Sequence, residues 1–475
     1  MSSSFQFRKS LNLFDSTAIV AGSMIGSGIF IVSADIARLI GSPGWLMLTW
    51  LITGFLTLFA ALSYGELAGM FPRAGGQYVY LLEAYNPLIG FLYGWTLFLV
   101  IQTGTIAAVA MAFAKFTGVL IPWVSEEIIW LKAGFLTFGP VQLVAIGSIL
   151  FLTWINTRGI QAGKRVQNAF TSGKVLLLLG FICIGLFFAR NTGAISVNSS
   201  IFWQTVQEGP SGEDIPISGF ALIAALGMAM VGTLFSSDAW NNITFTAGEV
   251  INPRKNIPLS LFFGTLLVTI LYLLVNLVYI TVLPLRGDPG GTEIFSRGIQ
   301  YALNNRLATA AISGLFTSDA AMVMAILIMI STFGCNNGLI LSGARVYYAM
   351  AVDKMFFHKT GRLNEQGVPA NGLMVQAIWA SLLCLSGTYS QLLDYVIFAV
   401  LIFYVLTIIG LFILRKTKPN IDRPYRAFGY PVIPLLYVLL ATLIMLILLV
   451  YKPEYTWPGL IIVLVGIPVY YFWKK

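Results

Sequence analysis

Charged residues are scarce in this chain of 475 residues: only 10% are charged, whereas 57% are hydrophobic. Soluble domains carry about 25% charged residues. A soluble protein with so little charge would expose large apolar patches and would aggregate. The shortage of charge therefore excludes an ordinary soluble protein and indicates an integral membrane protein with many helices.

Histidine and cysteine are also rare. The one histidine, His358, lies in a polar loop, and the three cysteines, Cys183, Cys335 and Cys384, are scattered in apolar stretches like small packing residues. This pattern does not suit a disulfide framework or a zinc site. The chain also lacks the G-x-x-x-x-G-K-[ST] phosphate loop and the G-x-S-x-G nucleophile elbow. We therefore expect no enzymatic activity, no cofactor and no metal site.

Long apolar stretches cover most of the chain. A helix needs about 20 mostly apolar residues to cross a bilayer. By this measure we expect twelve membrane-spanning segments and no separate soluble domain. The segments lie near 14–40, 43–70, 87–117, 139–157, 165–189, 217–247, 259–284, 318–352, 370–387, 390–414, 431–451 and 457–473.

Lysine and arginine are divided unevenly between the loops on the two sides of these segments. With the N-terminus inside, 18 of the 28 basic residues would lie inside, 7 outside and the remaining three within spans. Basic loops are retained on the cytoplasmic side of a membrane. We therefore expect a multi-pass protein of the plasma (inner) membrane with both termini in the cytoplasm. The net charge of +9 then suits anionic lipid, and no nucleic acid is expected as a partner.

Two predicted spans contain residues that disfavour a helix. The first contains "GSMIGSGIF" at 22–30, and the sixth contains "GTLFSSDAW" at 232–240. Each glycine costs about 1 kcal/mol against alanine in a helix interior, and irregular backbone in a membrane is tolerated where it lines a cavity or is buried in protein. Because the interruptions are five spans apart, they would occupy matching places in two inverted halves, which is typical of a transporter binding site. The alternative is that Gly22 and Gly26 form a GxxxG packing face.

The two interruptions would offer complementary polar groups. Amides near Ser27, Gly28 and Ile29 would begin a half-helix and, with its dipole, favour an anion such as a carboxylate. Carbonyls near Phe235 and Ser236 would suit a cation such as an ammonium. An anion site that faces a cation site fits a zwitterionic amino acid.

Two charged residues fall in the middle of predicted spans. Lys174, in the fifth, would cost about 2.5–3.5 kcal/mol at the bilayer centre, so it must pair or face a cavity. It is either a structural lysine held by carbonyls, a residue that takes part in cycling, or a proton carrier. Asp238, in the sixth, could order the unwound backbone, bind a cationic side chain or relay a proton.

Further charged residues lie near the inner ends of the spans. We expect Arg345 to pair with an acid near the inner face. Glu249, Arg254 and Lys255 follow the sixth span, where we expect a solvated loop rather than a gate. Lys115, near the end of the third span, can reach the surface with its long side chain.

Six motifs occur in an order that resembles the amino acid–polyamine–organocation superfamily. Within it, the chain is most similar to the L-type amino acid transporters, the light subunits of heteromeric amino acid transporters. The motifs are "GSMIGSGIF" at 22–30, "GELAGMFPRAGGQYVYL" at 65–81, "VQNAFTSGKVLLL" at 166–178, "AWNNITFTAGEVINPRKNIPLS" at 239–260, "STFGCNNGLILSGARVYYAMA" at 331–351 and "RPYRAFGYPVIPLLYV" at 423–438.

The resemblance implies an all-α LeuT-type fold with twelve transmembrane helices, of which the first and sixth are discontinuous. The whole chain, 1–475, would form one transporter domain. Inverted repeats of five helices would cover about 14–189 and 217–414, and two extra helices would cover about 431–473. The fold implies alternating access.

The resemblance also implies roles for individual residues. The amides around the first interruption would hold the substrate carboxylate, the carbonyls around the second would take the α-amine, and the ring of Phe235 would form an outer gate. The implied substrate-binding residues are Met24, Ser27, Gly28, Ile29, Phe235, Ser236 and Asp238. Lys174 would replace the sodium ion of sodium-coupled relatives and brace the first span against the fifth, helped by Tyr272 in the seventh.

Two features depart from the eukaryotic light subunits. Residues 118–138 contain no cysteine, so no disulfide-linked heavy chain is expected. Asp238 stands where members selective for large neutral substrates have glycine, and an acid there is seen in members that also accept dibasic substrates. We expect a sodium-independent antiporter of zwitterionic, mostly neutral L-amino acids. The alternative is a proton-coupled symporter that uses the same site and also accepts cationic amino acids.

Overall fold

A computed structural model describes residues 6–134, 136–208, 214–313, 320–386 and 389–474. Helices dominate this part of the chain. The α-helices are α1 (Leu13–Met24), α2 (Val32–Ile40), α3 (Pro43–Met70), α4 (Gln77–Ala84), α5 (Pro87–Thr96), α6 (Gln102–Leu120), α7 (Pro140–Thr157), α8 (Ile160–Phe187), α9 (Thr192–Ser200), α10 (Gly219–Ser236), α11 (Asn242–Phe245), α12 (Pro253–Val282), α13 (Ile294–Arg297), α14 (Leu307–Ile312), α15 (Ala320–Val352), α16 (Ala370–Ser386), α17 (Tyr389–Thr417), α18 (Val432–Tyr451) and α19 (Pro453–Trp473).

Strands are confined, within the described residues, to two short antiparallel hairpins in connecting loops. They are β1 (Leu131–Ala133) with β2 (Leu136–Phe138), and β3 (Val206–Glu208) with β4 (Asp214–Pro216). A π-helical turn, Leu97–Ile101, joins α5 to α6 in one continuous rod. Short 3₁₀ turns cover Gly28–Phe30, Ala247–Glu249, Leu303–Asn305 and His358–Gly361.

Ten helical stretches among the described residues are long and apolar enough to cross a membrane. Each corresponds to one of the predicted segments, so the chain is a multi-pass membrane protein. The other two predicted segments, near 14–40 and 370–387, contain the shorter apolar helices α1 and α16. The count of twelve spans therefore stays a prediction.

The first predicted interruption is present. A capping box starts α1, because the Asp15 amide donates to Asn12 Oδ1 at 2.9 Å and the Asn12 amide donates to Asp15 Oδ2 at 3.0 Å. The helix ends at Met24, Ile25 is extended, and α2 begins at Val32 after a 3₁₀ turn. The non-helical backbone thus falls within the glycine- and serine-rich stretch.

The second interruption is also present. Helix α10 ends at Ser236, and the four-residue helix α11 begins at Asn242. Between them Ala239 has a φ of 65°, an uncommon conformation for a residue with a side chain. Helix α1 packs against α8, α12 and α15, while α10 packs against α2, α3, α17 and α18. The two interruptions therefore lie inside the helix assembly.

The cysteines are not all packing residues of the interior. Cys335 and Cys384 are buried, but Cys183 is exposed on α8. The prediction that all three pack internally was wrong for Cys183, because the apolar stretch around it faces outward on one side of the helix.

Candidate functional site

The two interruptions touch each other at a glycine. A β-carbon built on Gly28 would lie 2.0 Å from Ser236 Oγ and 2.8 Å from Ser236 Cβ. No side chain fits at that distance. Glycine at position 28 therefore allows the start of the 3₁₀ turn to lie against the end of α10.

The first interruption leaves backbone donors without protein partners. The Phe30 amide donates to the Ser27 carbonyl at 3.1 Å, and the Ile31 amide donates to the Gly28 carbonyl at 3.0 Å. In the part of the chain that the structure describes, the amides of Gly28 and Ile29 have no hydrogen-bond acceptor. Free amides at the start of a helical turn are suited to an anion.

The second interruption presents carbonyls that are already partly used. The Phe235 carbonyl accepts from the Asp238 amide at 3.1 Å. The Ser236 carbonyl lies 3.0 Å from the hydroxyl of Tyr272 on α12. A carbonyl oxygen has two lone pairs, so the Ser236 carbonyl can accept one more donor, such as an ammonium.

Tyr272 links the two interrupted helices. Its hydroxyl also lies 3.1 Å from the Met24 carbonyl at the end of α1. One hydroxyl proton serves both carbonyls, so the hydroxyl donates to one at a time. These two contacts join Met24 to Ser236. The expectation that Tyr272 helps Lys174 stays a prediction.

Lys174 on α8 occupies the carbonyl-rich end of α1. Its Nζ donates to the Gly22 carbonyl at 2.5 Å, the Ile25 carbonyl at 2.7 Å and the Ser331 carbonyl of α15 at 3.3 Å. The side chain is buried, and no carboxylate among the described residues forms an ion pair with it. Three carbonyls thus satisfy its three N–H groups, and the lysine ties α1 to both α8 and α15.

Asp238 is buried at the second interruption, where its Oδ1 accepts a 2.5 Å hydrogen bond from the hydroxyl of Tyr404 on α17. Three small cavities, of about 10 to 20 Å³ each, share Asp238 as a lining residue. The carboxylate is therefore at the centre of the internal free space around the interruptions.

One of these cavities lies between the two interruptions, and we call it the break cavity. Its lining residues are Ser23, Met24, Gly26, Ser27, Gly28, Thr105, Val109, Phe235, Ser236, Asp238, Ala239 and Cys335. It brings together all the predicted substrate-binding residues except Ile29. Ile29 lies just outside, and its carbonyl accepts from the Tyr279 hydroxyl at 3.1 Å.

Sequence reasoning missed several groups around this space. Thr105 and Val109 come from α6 and Cys335 from α15, and nothing in the local sequence marks the face on which they lie. A second cavity beyond Asp238, which we call the amide cavity, is lined by Gln77, Gln102 and Asn241 among others. Polar amides inside apolar spans are unusual, and this signal could have found Gln102.

Comparison with known proteins extends the family resemblance of the six motifs over nearly the whole chain. A sequence model of the family described as amino acid permease matches residues 11–470. The chain belongs to the amino acid permease family. This permease is 26% identical to the mouse b(0,+)-type amino acid transporter 1, in an alignment that covers 98% of this chain and 88% of the relative. It is 28% identical to the human large neutral amino acids transporter small subunit 2, over 98% and 81%.

A third relative, the mouse Asc-type amino acid transporter 1, is 26% identical over 98% of this permease and 82% of its own length. All three relatives are named as transporters of amino acids. The comparisons confirm the predicted family. They also support the expectation that the chain is a transporter rather than an enzyme.

A buried ion pair joins the segment that follows α11 to helix α15 of the permease. Arg345 Nε lies 2.9 Å from Glu249 Oε2 and Arg345 Nη2 lies 2.9 Å from Glu249 Oε1, with both side chains 1% exposed. The prediction that Arg345 pairs with an acid is confirmed. The prediction of a solvated loop was wrong for Glu249, because this bidentate pairing holds it inside. Arg254 and Lys255 are exposed as predicted, and Arg254 forms a surface ion pair with Asp422 at 2.7 Å. They lie in the first turn of α12 rather than in a loop, so that part of the prediction was wrong.

The backbone of Glu249 holds the segment that precedes α1. Its carbonyl accepts from the amides of Ser10 and Leu11 at 2.8 and 3.0 Å. Lys164 of α8 fixes the start of α1, since its Nζ lies 3.0 Å from Asp15 Oδ2. The end of α1 that is far from the break cavity is therefore anchored to both α8 and the segment after α10.

Proposed function

We propose that this permease is a sodium-independent antiporter that exchanges zwitterionic, mostly neutral L-amino acids by alternating access. It would reside in the plasma (inner) membrane with twelve spans and both termini in the cytoplasm. The observation that carries the proposal is the break cavity, where the unpaired amide of Gly28 and the carbonyl of Ser236 lie on opposite interrupted helices.

The two ends of an amino acid would use different walls of this cavity. The carboxylate would accept from the Gly28 amide at the start of the 3₁₀ turn, where the peptide dipoles also favour negative charge. The α-ammonium would donate to the carbonyls of Phe235 and Ser236 at the end of α10. A molecule that lacks either charged end would leave buried polar groups unpaired, which costs about 1–3 kcal/mol for each group.

Independence from sodium would follow from Lys174. Sodium is a hard cation that binds oxygen ligands such as backbone carbonyls. In transporters of the LeuT type, carbonyls of unwound helix segments coordinate the coupling ion. The three carbonyls around Lys174 Nζ form such a set and are already occupied by the ammonium. A tethered cation cannot leave with the substrate, so it would provide no coupling to a sodium gradient.

Selectivity would depend on Asp238. Its carboxylate is held by Tyr404, which supports a role in ordering the interrupted helix, and a neutral side chain would leave this pair intact. The names of the relatives include a transporter of large neutral amino acids. We therefore propose neutral substrates as the main class, with the side chain directed toward the space shared with α6.

Alternating access would require the interrupted helices to move against α8 and α15. The contacts that would have to break are specific: the Tyr272 bridge, the Lys174 hydrogen bonds and the Glu249–Arg345 ion pair. Each contact connects a residue at or just after an interruption with a helix that is not interrupted, namely α12, α8 or α15. All three contacts are present together in this structure.

The test is exchange in proteoliposomes. The full chain is reconstituted, and uptake of labelled neutral amino acids is measured in sodium-free buffer, with and without unlabelled amino acid inside. An antiporter should take up label many times faster when the vesicles are preloaded. Uptake that ignores the internal amino acid but follows an imposed pH gradient would replace antiport with proton symport.

A further inference from the structure

A groove opens on the outer surface of the helix assembly, and it differs from the break cavity in its size and in the residues that line it. Its volume is about 810 Å³, whereas the cavities around Asp238 have volumes of about 10 to 20 Å³. Its walls are the first part of α16, the 3₁₀ turn His358–Gly361 and the π-helical turn. Its size is too great for a bound ion or a few waters, and it is open to the surroundings of the protein.

The floor of this groove is apolar. Phe98 of the π-helical turn and Trp379, Met374 and Ile378 of α16 line it. Trp379 Nε1 donates to the Leu99 carbonyl at 3.0 Å, which fixes the indole against the π-helical turn. Met374 and Ile378 are 47% and 57% exposed. In a multi-pass membrane protein, such a surface contacts acyl chains.

The other end of the groove is polar and basic. Lys359 and His358 line it together with Thr360 and Asn371. The Asn371 side chain donates to the Lys359 carbonyl at 2.9 Å, so the 3₁₀ turn is fixed on the start of α16. Among the described residues no carboxylate pairs with Lys359, so its charge remains available.

The change from polar to apolar follows the direction of the span. From Asn371 to Trp379 the helix rises by about 12 Å, which approaches the roughly 15 Å of one leaflet's hydrocarbon layer, half of the bilayer core. The end of α19 lies beside the polar end of the groove, since the rings of Phe357 and Trp473 are 5.3 Å apart. Lys474, which follows Trp473, adds a second basic residue at this membrane face.

We infer that this groove is a binding site for one anionic phospholipid, with an acyl chain against Phe98, Ile378 and Trp379 and the phosphate at Lys359. The apolar floor accounts for the acyl chain, and the unpaired lysine selects a negative headgroup. A lysine near an anionic membrane surface contributes about a fivefold preference. The inference does not depend on the direction or coupling of transport.

The test is native mass spectrometry of the full chain, released from detergent with equal amounts of phosphatidylglycerol and phosphatidylcholine that carry identical acyl chains. The adduct with one phosphatidylglycerol should exceed that with one phosphatidylcholine by about fivefold. Lys359→Gln should bring the two adducts close to equal, whereas Lys255→Gln, which removes an exposed lysine that is not in the groove, should keep the preference.

A second pair of variants tests the apolar floor. Ile378→Trp should fill the groove and reduce both adducts, while Leu382→Trp, one turn further along the same exposed face of α16 but outside the groove, should behave like the wild type. Equal adducts in the wild type would overturn the inference. An equal loss of the phosphatidylglycerol preference in Lys359→Gln and Lys255→Gln would also overturn it, as would an equal loss of both adducts in Ile378→Trp and Leu382→Trp. A third contradicting result would be a lipid-free dimer in which a second copy of the chain covers the groove.

Discussion

Replacement of Lys174 by methionine tests how far the ammonium takes part in the transport cycle. Methionine keeps most of the volume of the side chain but removes all three hydrogen bonds to the Gly22, Ile25 and Ser331 carbonyls. A hydrogen bond from a charged group contributes about 1.5–3 kcal/mol. If one such bond exists in only one of the alternating states, its loss changes their equilibrium by about 10- to 150-fold.

The expected result is a selective defect in cycling. Exchange in proteoliposomes should slow by at least about tenfold, while the equilibrium Kd for the amino acid should change by less than about threefold, because Lys174 Nζ contacts the backbone behind the break cavity and does not line it. Lys115→Met is the matched control, since Lys115 is 37% exposed and pairs with Glu126 at 3.3 Å. Such pairs contribute about 0–1 kcal/mol. Wild-type exchange by Lys174→Met, or a Kd that weakens as much as the rate, would refute the reasoning.

Two further substitutions have defined outcomes. Gly28→Ala should abolish amino acid binding in an equilibrium binding assay, because its methyl group would collide with the end of α10. Gly147→Ala, where the added carbon has open space, should bind normally, and tight binding by Gly28→Ala would contradict the close approach. Arg345→Met should lower the free energy of unfolding by about 3–5 kcal/mol, since it leaves Glu249 buried without a counter-charge. Arg254→Met, at a surface ion pair, should cost less than about 1 kcal/mol, and equal thermal shifts for the two variants would argue against a buried pair.

The interruptions were predictable because their cause is local. Several glycines and serines close together in a span weaken its helix, and the structure breaks the backbone inside both predicted stretches. Lys174 was predictable for a similar reason, since the cost of a buried ammonium requires partners. Its partners include carbonyls freed by the nearby interruption.

The partners contributed by distant helices could not be predicted. Membrane helices are apolar on nearly all sides, so their hydrophobic periodicity does not tell which face meets which neighbour. Tyr404 and Thr105 reach the site from α17 and α6, and neither stands out in its own span. Glu249 was misplaced for the same reason: its position at the end of a span suggested water, but Arg345 arrives from a helix about a hundred residues later.

The most direct test of the central claim uses Cys335. It lines the break cavity, whereas Cys183 is exposed elsewhere and Cys384 is buried outside the cavity. The rate at which a small thiol reagent labels Cys335 is measured by mass spectrometry of the reconstituted full chain, with and without a saturating transported amino acid, and with Cys183 as the internal control. The account predicts that the amino acid slows labelling of Cys335 several-fold and leaves Cys183 unchanged. An unchanged rate at Cys335, under conditions where the same amino acid is transported, would place the substrate outside the break cavity.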